Sequence, residues 1–259
     1  MDLNKIFENL GSIEKKIHVS WKNKNILNLN FNMIKNGIYN LRKLNPDYSF
    51  EISDDDDVND YLENKLSPGD FELIKYKHIV EKTDLWRLLK IYNEGGVYMD
   101  IDRLCNIPLS CIINNSVKCV LPTYRDFDFS QDIMISCSKN IIHKRAIELN
   151  LERRRSGEER LVYLGPDTYL HAISEILINK QSPRENNQIL FNQLREIINK
   201  CEYLITYREN PPYDTIVYQG PEIKFDKKAF YRDQGVKSHQ SENEMLEMFK
   251  NWLKNIFKK

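Results

Sequence analysis

Residues 94–102 read EGGVYMDID, a stretch in which two glycines precede an apolar run that ends in two carboxylates one residue apart. In a β-strand, residues i and i+2 lie on the same face, roughly 6.6 Å apart. The spacing therefore predicts that Tyr98, Asp100 and Asp102 share one face, opposite an apolar face. Two carboxylates this close repel each other unless a cation lies between them, and Mg²⁺ or Mn²⁺ prefers such oxygen ligands.

An Asp-x-Asp pair alone is weak evidence, because most acidic pairs in a chain with 38 acidic residues are solvated. The run DDDD at 54–57, for example, has no apolar strand beside it, and we interpret it as a loop. The pair at Asp100 differs because residues 82–94 before it predict an amphipathic helix. Thr83 can cap this helix, and Gly95 can end it in the left-handed conformation.

Asp84 and Arg87 lie three residues apart on this predicted helix and therefore share a face near its N-terminal end. One interpretation is a surface ion pair, which contributes little to stability. The other is the wall of a site, in which Arg87 meets a phosphate or a sugar and Asp84 accepts hydrogen bonds from sugar hydroxyls. The residues alone leave both interpretations open.

Two segments together, TDLWRLL at 83–89 and YNEGGVYMDID at 92–102, resemble the signature of glycosyltransferases with an Asp-x-Asp sugar-binding region. The resemblance is to family 32 α-glycosyltransferases and, more distantly, to the large clostridial glucosylating toxins. Further similarities are the opening strand at 16–21, the Asn-Pro-Asp-Tyr segment within 44–48, and the weaker landmarks Gly165-Pro166, His239 and Trp252. The specific part of the resemblance covers residues 13–109.

The resemblance implies an α/β fold of the GT-A type, with a Rossmann-like mixed sheet flanked by helices and a helical C-terminal portion. We expect a single GT-A catalytic domain over residues 1–259. Its first half, 1–150, would bind the nucleotide-sugar and the metal, and its second half, 151–259, would form the acceptor side and the C-terminal helices. The resemblance also implies retention of configuration at the anomeric carbon of the transferred sugar.

The resemblance assigns candidate roles to individual residues. The residues expected to bind the donor are Trp21, Asp84, Arg87 and Asp100. The residues expected to hold Mn²⁺ or Mg²⁺ are Asp102, Asp100 and His239. The residues expected at the reacting centre are Asp100, Asp102, Asp132 and Gln131.

Three of these assignments have structural alternatives. Trp21 would lie against the nucleotide base, but an indole has two faces and can pack into the core as well. His239 stands in a loosely matching segment, and a lone histidine is usually a surface or hydrogen-bonded residue. Asp132 could stabilise an oxocarbenium-like centre or orient the acceptor hydroxyl, and a turn-forming aspartate is an equal alternative.

The expected reaction moves a hexose from a nucleotide-sugar to a hydroxyl group. UDP-glucose is the first choice of donor, with UDP-galactose and GDP-mannose behind it. The acceptor is a glycan, a glycosylated protein or a protein hydroxyl. Two other classes are alternatives: a phosphatase of the haloacid dehalogenase type, disfavoured because Leu104 stands where its motif has Thr or Val, and a non-catalytic carbohydrate-binding protein with a GT-A-like fold.

Composition excludes some partners. The 38 basic and 38 acidic residues cancel, so no net field attracts nucleic acid or an anionic membrane. The sequence shows neither the apolar core of a signal peptide at its start nor a run of about 18 apolar residues, so we expect no membrane span and a cytoplasmic location. The five cysteines have no metal-site spacing and are expected to be reduced. A homodimer remains open.

Hydrophobic periodicity predicts the remaining elements. The predicted strands are 13–21, 48–52, 97–102, 117–121 and 133–136. The predicted helices are 28–43, 82–94, 141–152, 167–179, 188–200 and 242–257. The basic run Arg153-Arg154-Arg155, followed by Gly157, is expected to be a mobile loop.

Overall fold

A mixed β-sheet with helices on both faces organises the chain. The computed structural model describes residues 3–25, 32–101, 104–105, 108–124, 128–129, 131–179, 187–208 and 217–218. The helices in these ranges are α1 (Leu3–Glu8), α2 (Asn32–Leu44), α3 (Asp55–Lys65), α4 (Pro68–Glu72), α5 (Ile79–Glu94), α6 (Ile141–Arg155), α7 (Leu161–Leu164), α8 (Pro166–Ile178) and α9 (Asn187–Lys200). The strands are β1 (Lys16–Ser20), β2 (Ser49–Ser53), β3 (Gly96–Met99), β4 (Leu104–Cys105), β5 (Cys119–Tyr124), β6 (Asp128–Phe129), β7 (Ile133–Ser136), β8 (Leu204–Arg208) and β9 (Val217–Tyr218).

Within the described residues, seven strands form one sheet in the order β2-β1-β3-β7-β5-β6, with β8 paired to β5. Strands β1, β2 and β3 run parallel, and β7 joins β3 antiparallel. The register places His18 of β1 between Glu51 and Tyr98. Because the carboxyl ends of parallel strands meet at one edge, open sheets of this kind bind ligands there.

The junction of α5 and β3 explains why two glycines precede the strand. Gly95 and Gly96 both have positive φ, 68° and 94°, which residues with a side chain rarely adopt. A Cβ on Gly95 would lie 2.8 Å from the Ser138 amide nitrogen, and one on Gly96 would lie 2.4 Å from the Lys16 carbonyl oxygen. The chain therefore turns from helix to strand in a space that only glycine fits.

The sheet is buried on both faces. One core cluster joins Tyr98, Leu121 and Met134 of the sheet to α3, α5, α6, α8 and α9. The other joins Val97, Met99 and Ile135 to Leu41 of α2 and to the short 3-10 turn at Leu109–Cys111. Burial on both faces suits a strand with no charged side chain inside it, such as β3.

Most predicted elements are confirmed, and four expectations are wrong. The strand predicted over 97–102 ends at Met99, so Asp100 does not lie on a strand face. The run at 54–57 is not a loop: Asp54 caps α3, and Asp57 bonds back to it in a capping box. Helix α5 begins at Ile79 after His78, so Thr83 is not its cap and instead donates its hydroxyl to the Ile79 carbonyl, at 2.9 Å. The predicted mobile loop is the last turn of α6, which ends at Arg155.

Two expectations lie partly or wholly outside the described residues. Contacts along the chain divide it into Met1–Tyr218 and Gln219–Lys259, and the predicted helix at 242–257 falls in the second range. The single-domain organisation therefore stays a prediction. Each cysteine whose side chain is described is free, with Cys119, Cys137 and Cys201 buried and Cys111 exposed. Among the described residues, no helix is both long and apolar enough to span a membrane.

Candidate active site

Two predicted site residues, Trp21 and Asp100, lie at the carboxyl ends of parallel strands. Trp21 follows β1, and its amide donates to the carbonyl of Ser53 at the end of β2, at 2.9 Å. Asp100 follows β3, and its amide donates to the Asp132 carbonyl, at 2.8 Å. The strand ends at Met99, so Asp100 stands in the turn after it, where its carboxylate is not confined to the pleat.

Arg87 is the centre of this site. Its guanidinium donates to the carboxylate of Asp84, to the Gln131 carbonyl at 3.0 Å and to Asp100 Oδ1 at 3.4 Å. The guanidinium carbon also lies 5.0 Å from the centre of the Tyr98 ring, a cation–π contact. Burial opposes the charge of Arg87, yet Tyr98 and the two carboxylates hold its pKa above the ordinary value. One side chain thus joins three predicted site residues that the sequence separates widely.

The burial of this pair excludes the surface ion pair considered from the sequence, and the interpretation as the wall of a site stays a prediction. Arg87 is only 8% exposed, and protein acceptors already occupy the terminal nitrogens of its guanidinium. We therefore interpret Arg87 as the residue that fixes Asp84 and Asp100 in place. Any contact of Arg87 with a donor would have to use what remains of its small exposed surface.

The Asp84 carboxylate is enclosed on several sides. Burial raises the pKa of Asp84, and the charge of Asp100 adds to this, whereas Arg87 and Arg154 oppose it. Gly165, at the start of α8, lies directly behind it: a Cβ on Gly165 would stand 2.9 Å from Asp84 Oδ2. The structure therefore brings the weak landmark at Gly165 into contact with a strong one at Asp84.

Asp100 has the geometry of a group that can turn toward a ligand. Its side chain is 30% exposed, and Oδ1 accepts a hydrogen bond from the Tyr98 hydroxyl at 2.5 Å. Tyr98 is buried, and burial raises the pKa of its hydroxyl well above the ordinary value, so it acts as a donor to the carboxylate. A partly exposed carboxylate of this kind suits a hard divalent cation.

Gln131 and Asp132 stand opposite this carboxylate, before β7. The side chain of Gln131 is buried, and within the described residues neither its amide oxygen nor its amide nitrogen has a hydrogen-bond partner. A buried amide without partners is costly, and such groups are common where a ligand supplies the missing bonds. Trp21 and Asp132 are both partly exposed, so each can also reach a ligand.

Three predicted residues, Asp102, His239 and Trp252, lie outside the described residues. The second carboxylate of the Asp-x-Asp pair and the third metal ligand therefore stay predictions. Of the proposed metal ligands, the structure describes Asp100 alone, and its oxygen donors fit a divalent cation.

A charged cluster that the sequence analysis did not single out lies between β1, β2 and α5. His18, Glu51 and Glu94 present ligand atoms within 4.8 Å of one another. Lys16 lies 2.8 Å from Glu51 and 2.5 Å from Glu94, and Lys90 lies 2.8 Å and 2.7 Å from the same carboxylates. The contact of His18 Nδ1 with Glu51, at 3.4 Å, and the two lysines hold the pKa of Glu51 well below its ordinary value. Because two ammonium groups already neutralise both carboxylates, we interpret this cluster as structural.

Known glycosyltransferases are similar to this chain in the region that contains most of the candidate site. Residues 14–118, which contain Trp21, Asp84, Arg87 and the Asp-x-Asp pair, match the family described as glycosyltransferase sugar-binding region containing DXD motif. The chain is 25% identical over 141 residues to inositol phosphoceramide mannosyltransferase 1 of Schizosaccharomyces pombe, which covers 53% of this chain and 43% of that protein. It is 34% identical over 67 residues to an uncharacterized glycosyltransferase of Acanthamoeba polyphaga mimivirus, covering 26% of this chain and 27% of that protein. The chain thus matches less than half the length of these relatives.

A solved structure, the PaToxG glycosyltransferase, shares the fold. It superimposes with a TM-score of 0.53 at 21% sequence identity and covers 74% of this chain and 78% of that chain. The predicted GT-A type of α/β fold is therefore confirmed, and residues 14–118 are similar to the glycosyltransferase sugar-binding region with a DXD motif.

Proposed function

We propose that this chain is a metal-dependent, retaining glycosyltransferase that moves a hexose from a nucleotide-sugar to a hydroxyl of a glycan or a glycosylated protein. The observation that carries the proposal is the convergence on Arg87 of Asp84, Asp100 and the Gln131 carbonyl, at the edge where open α/β sheets bind ligands. This convergence lies within the matched sugar-binding region, apart from Gln131.

The leaving group of the reaction is a nucleoside diphosphate, and its developing negative charge sets much of the barrier. A divalent cation held by Asp100, Asp102 and His239 would neutralise that charge. Arg87 and the Tyr98 hydroxyl both donate to Asp100 Oδ1 and would hold this carboxylate in one orientation. Trp21 would supply an apolar face for the base of the nucleotide.

The transferred sugar would lie between Asp84 and Gln131. Asp84 would accept hydrogen bonds from sugar hydroxyls, because Arg87 leaves its second carboxylate oxygen uncommitted to the guanidinium. The Gln131 amide, which has no partner within the described residues, could both donate to and accept from hydroxyl groups. Asp132 would then stabilise an oxocarbenium-like centre or orient the acceptor hydroxyl.

Three nucleotide-sugars are candidates for the donor. UDP-glucose is our first choice by resemblance. The names of two similar proteins of Schizosaccharomyces pombe, inositol phosphoceramide mannosyltransferases 1 and 3, favour mannose and hence GDP-mannose as the alternative. UDP-galactose stands behind both. We further propose a cytoplasmic location for the chain and keep homodimer formation open.

The test is a screen of nucleotide-sugars for slow hydrolysis in Mn²⁺, which identifies the donor without its acceptor. We expect the protein to hydrolyse one UDP-hexose or GDP-mannose, and EDTA to stop the reaction. Asp100→Asn should lose this activity, whereas the matched control Asp56→Asn, at an exposed acid of α3, should keep it. Failure to bind or hydrolyse any nucleotide-sugar would favour the non-catalytic carbohydrate-binding alternative. Hydrolysis that persists in EDTA would refute the proposed metal dependence.

A further inference from the structure

A buried chain of hydrogen bonds crosses the interior behind the candidate site. Arg154 of α6 donates through one terminal nitrogen to Glu81 of α5, at 3.0 Å, and through Nε to Asn150 Oδ1, at 2.8 Å. The Asn150 amide nitrogen in turn donates to the carbonyl oxygen of Leu164, at 2.6 Å. Asn150 is fully buried and Arg154 is 7% exposed, so neither is a surface group that happens to find a partner.

The hydrogen-bond chain ends beside the Asp84 carboxylate. Leu164 is the residue immediately before Gly165, whose Cα stands so close to Asp84 that an added Cβ would lie 2.9 Å from Oδ2 and 3.6 Å from the carboxyl carbon. The hydrogen bond from Asn150 therefore fixes the turn between α7 and α8 in contact with the Asp84 carboxylate. Within the described residues, Asn150 makes both of these bonds, whereas the second terminal nitrogen of Arg154 is buried without a partner. The fixed part of the network is therefore the segment that runs through Asn150.

The same network also brings a charge toward Asp84. The side chain of Arg154 is 2% exposed, and its charge acts favourably on the Asp84 carboxylate. The charges of Arg87 and Arg154 thus both favour the Asp84 carboxylate, while those of Asp100 and Glu81 act against it. A shift of the turn at Gly165 would change both the position and the surroundings of this carboxylate.

We infer that Asn150 and Gly165 are positioning residues for donor binding: Asn150 holds the Leu164 carbonyl, and the bare Gly165 turn then seats the Asp84 carboxylate against Arg87. This inference rests on the proposed role of Asp84 in binding the transferred sugar. Positioning residues of this kind act through the group they support, so their loss should weaken contacts made by Asp84 and spare contacts made elsewhere.

The first experiment measures binding in Mn²⁺. Asn150→Leu removes both of its bonds at similar volume, and Gly165→Ala inserts the crowding methyl group. We expect each to weaken the affinity for the nucleotide-sugar about tenfold, while affinity for the nucleoside diphosphate alone changes by less than about twofold. The controls are Ser174→Ala, which removes another buried bond on α8, and Gly69→Ala, whose methyl group would meet no atom within 4 Å. Equal loss for both ligands would mean general damage and would overturn the inference.

The second experiment needs no nucleotide and therefore separates this inference from the proposed function. Gly165→Ala should lower the unfolding midpoint in the parent and lower it less than half as much in an Asp84→Ala background, because the carboxylate it crowds is gone. Any backbone cost of the Gly165→Ala substitution itself appears equally in both backgrounds, and Gly69→Ala should show no such difference. Asp84→Ser replaces Asp84→Ala if the latter does not fold. If Gly165→Ala lowers the unfolding midpoint equally in both backgrounds, the contact between Gly165 and Asp84 is overturned. If the parent binds no nucleotide, only the role in donor binding is overturned.

Discussion

Arg87→Met should destabilise the protein strongly at neutral pH and less in acid. The substitution removes the guanidinium that pairs with Asp84 and Asp100 and donates to the Gln131 carbonyl, at a position that is 8% exposed. Breaking a buried ion pair by removing one partner costs roughly 3–5 kcal/mol. Asp100 is 30% exposed and can turn to water, so only Asp84 is left stranded, and we expect about 3 kcal/mol.

The destabilisation by Arg87→Met should depend on pH through the titration of Asp84. Burial already raises the pKa of Asp84 above the ordinary 3.8, and without Arg87 the opposing charge is lost, so the folded variant holds a proton more tightly than the unfolded chain does. A raised folded-state pKa contributes stability below the unfolded value and loses it as the pH rises. The cost of Arg87→Met should therefore be largest near about pH 7 and shrink toward about pH 4.

The assay is urea unfolding of the parent and the variant in EDTA at both pH values, compared as a difference in the free energy of unfolding. Arg160→Met, which removes an exposed arginine paired with Glu158, is the matched control and should change little. A cost below about 1 kcal/mol at neutral pH, or a cost that does not vary with pH, would refute the account of Arg87 as a buried organiser of the site.

Three further predictions concern other parts of the molecule. Glu51→Gln should lower the free energy of unfolding by about 1–2 kcal/mol above pH 4.5, the ordinary pKa of this carboxyl group. Because the folded-state pKa of Glu51 is depressed, the stability difference between parent and variant should fade in acid, as measured by urea unfolding across pH. Burial lowers the pKa of His143 to about 3, and its ring nitrogens have no partner within the described residues. His143→Phe should therefore leave the stability at neutral pH equal or higher, and it should remove the loss of stability that the parent shows below pH 6.5. A profile of stability against pH that stays parallel to the parent's would contradict this. Trp21→Ala should weaken the binding of UDP itself as well as UDP-glucose, and unchanged UDP affinity by calorimetry would assign Trp21 to packing alone.

Local chemistry explains which elements could be predicted. The glycine pair before β3 and the apolar spacing of α5 are properties of neighbouring residues, so the helix-to-strand junction was readable from the sequence. The start of α3 was missed although its signal is local: Asp54 and Asp57 form a capping box, which a run of four acids conceals. The parallel pairing of β8 with β5 joins residues about 85 positions apart and has no local signal.

The site was predicted in its parts and not in its arrangement. The spacing of Asp84 and Arg87 predicted that they share a helix face, and the structure confirms that they pair. Their burial could not be predicted, because it depends on Gly165 and on the Gln131 carbonyl, which distant parts of the chain supply. The mobile loop predicted at this basic run is wrong for the same reason. Arg153 pairs with Asp167 and Arg154 pairs with Glu81, so ion pairs to other helices fix a run that would be solvated in isolation.

The most direct test of the metal-dependent site is the affinity for the nucleoside diphosphate, UDP or GDP, measured by calorimetry with Mn²⁺ and with EDTA in the parent and in Asp102→Asn. The two phosphates and the Asp-x-Asp carboxylates repel each other unless a cation lies between them, and Arg87 is already committed to protein acceptors. We predict that Mn²⁺ raises the affinity of the parent at least tenfold, about 1.4 kcal/mol, and that Asp102→Asn loses most of this gain. Equal affinity of the parent in Mn²⁺ and in EDTA would contradict the metal-dependent site. The Asp-x-Asp carboxylates would then be ordinary surface acids.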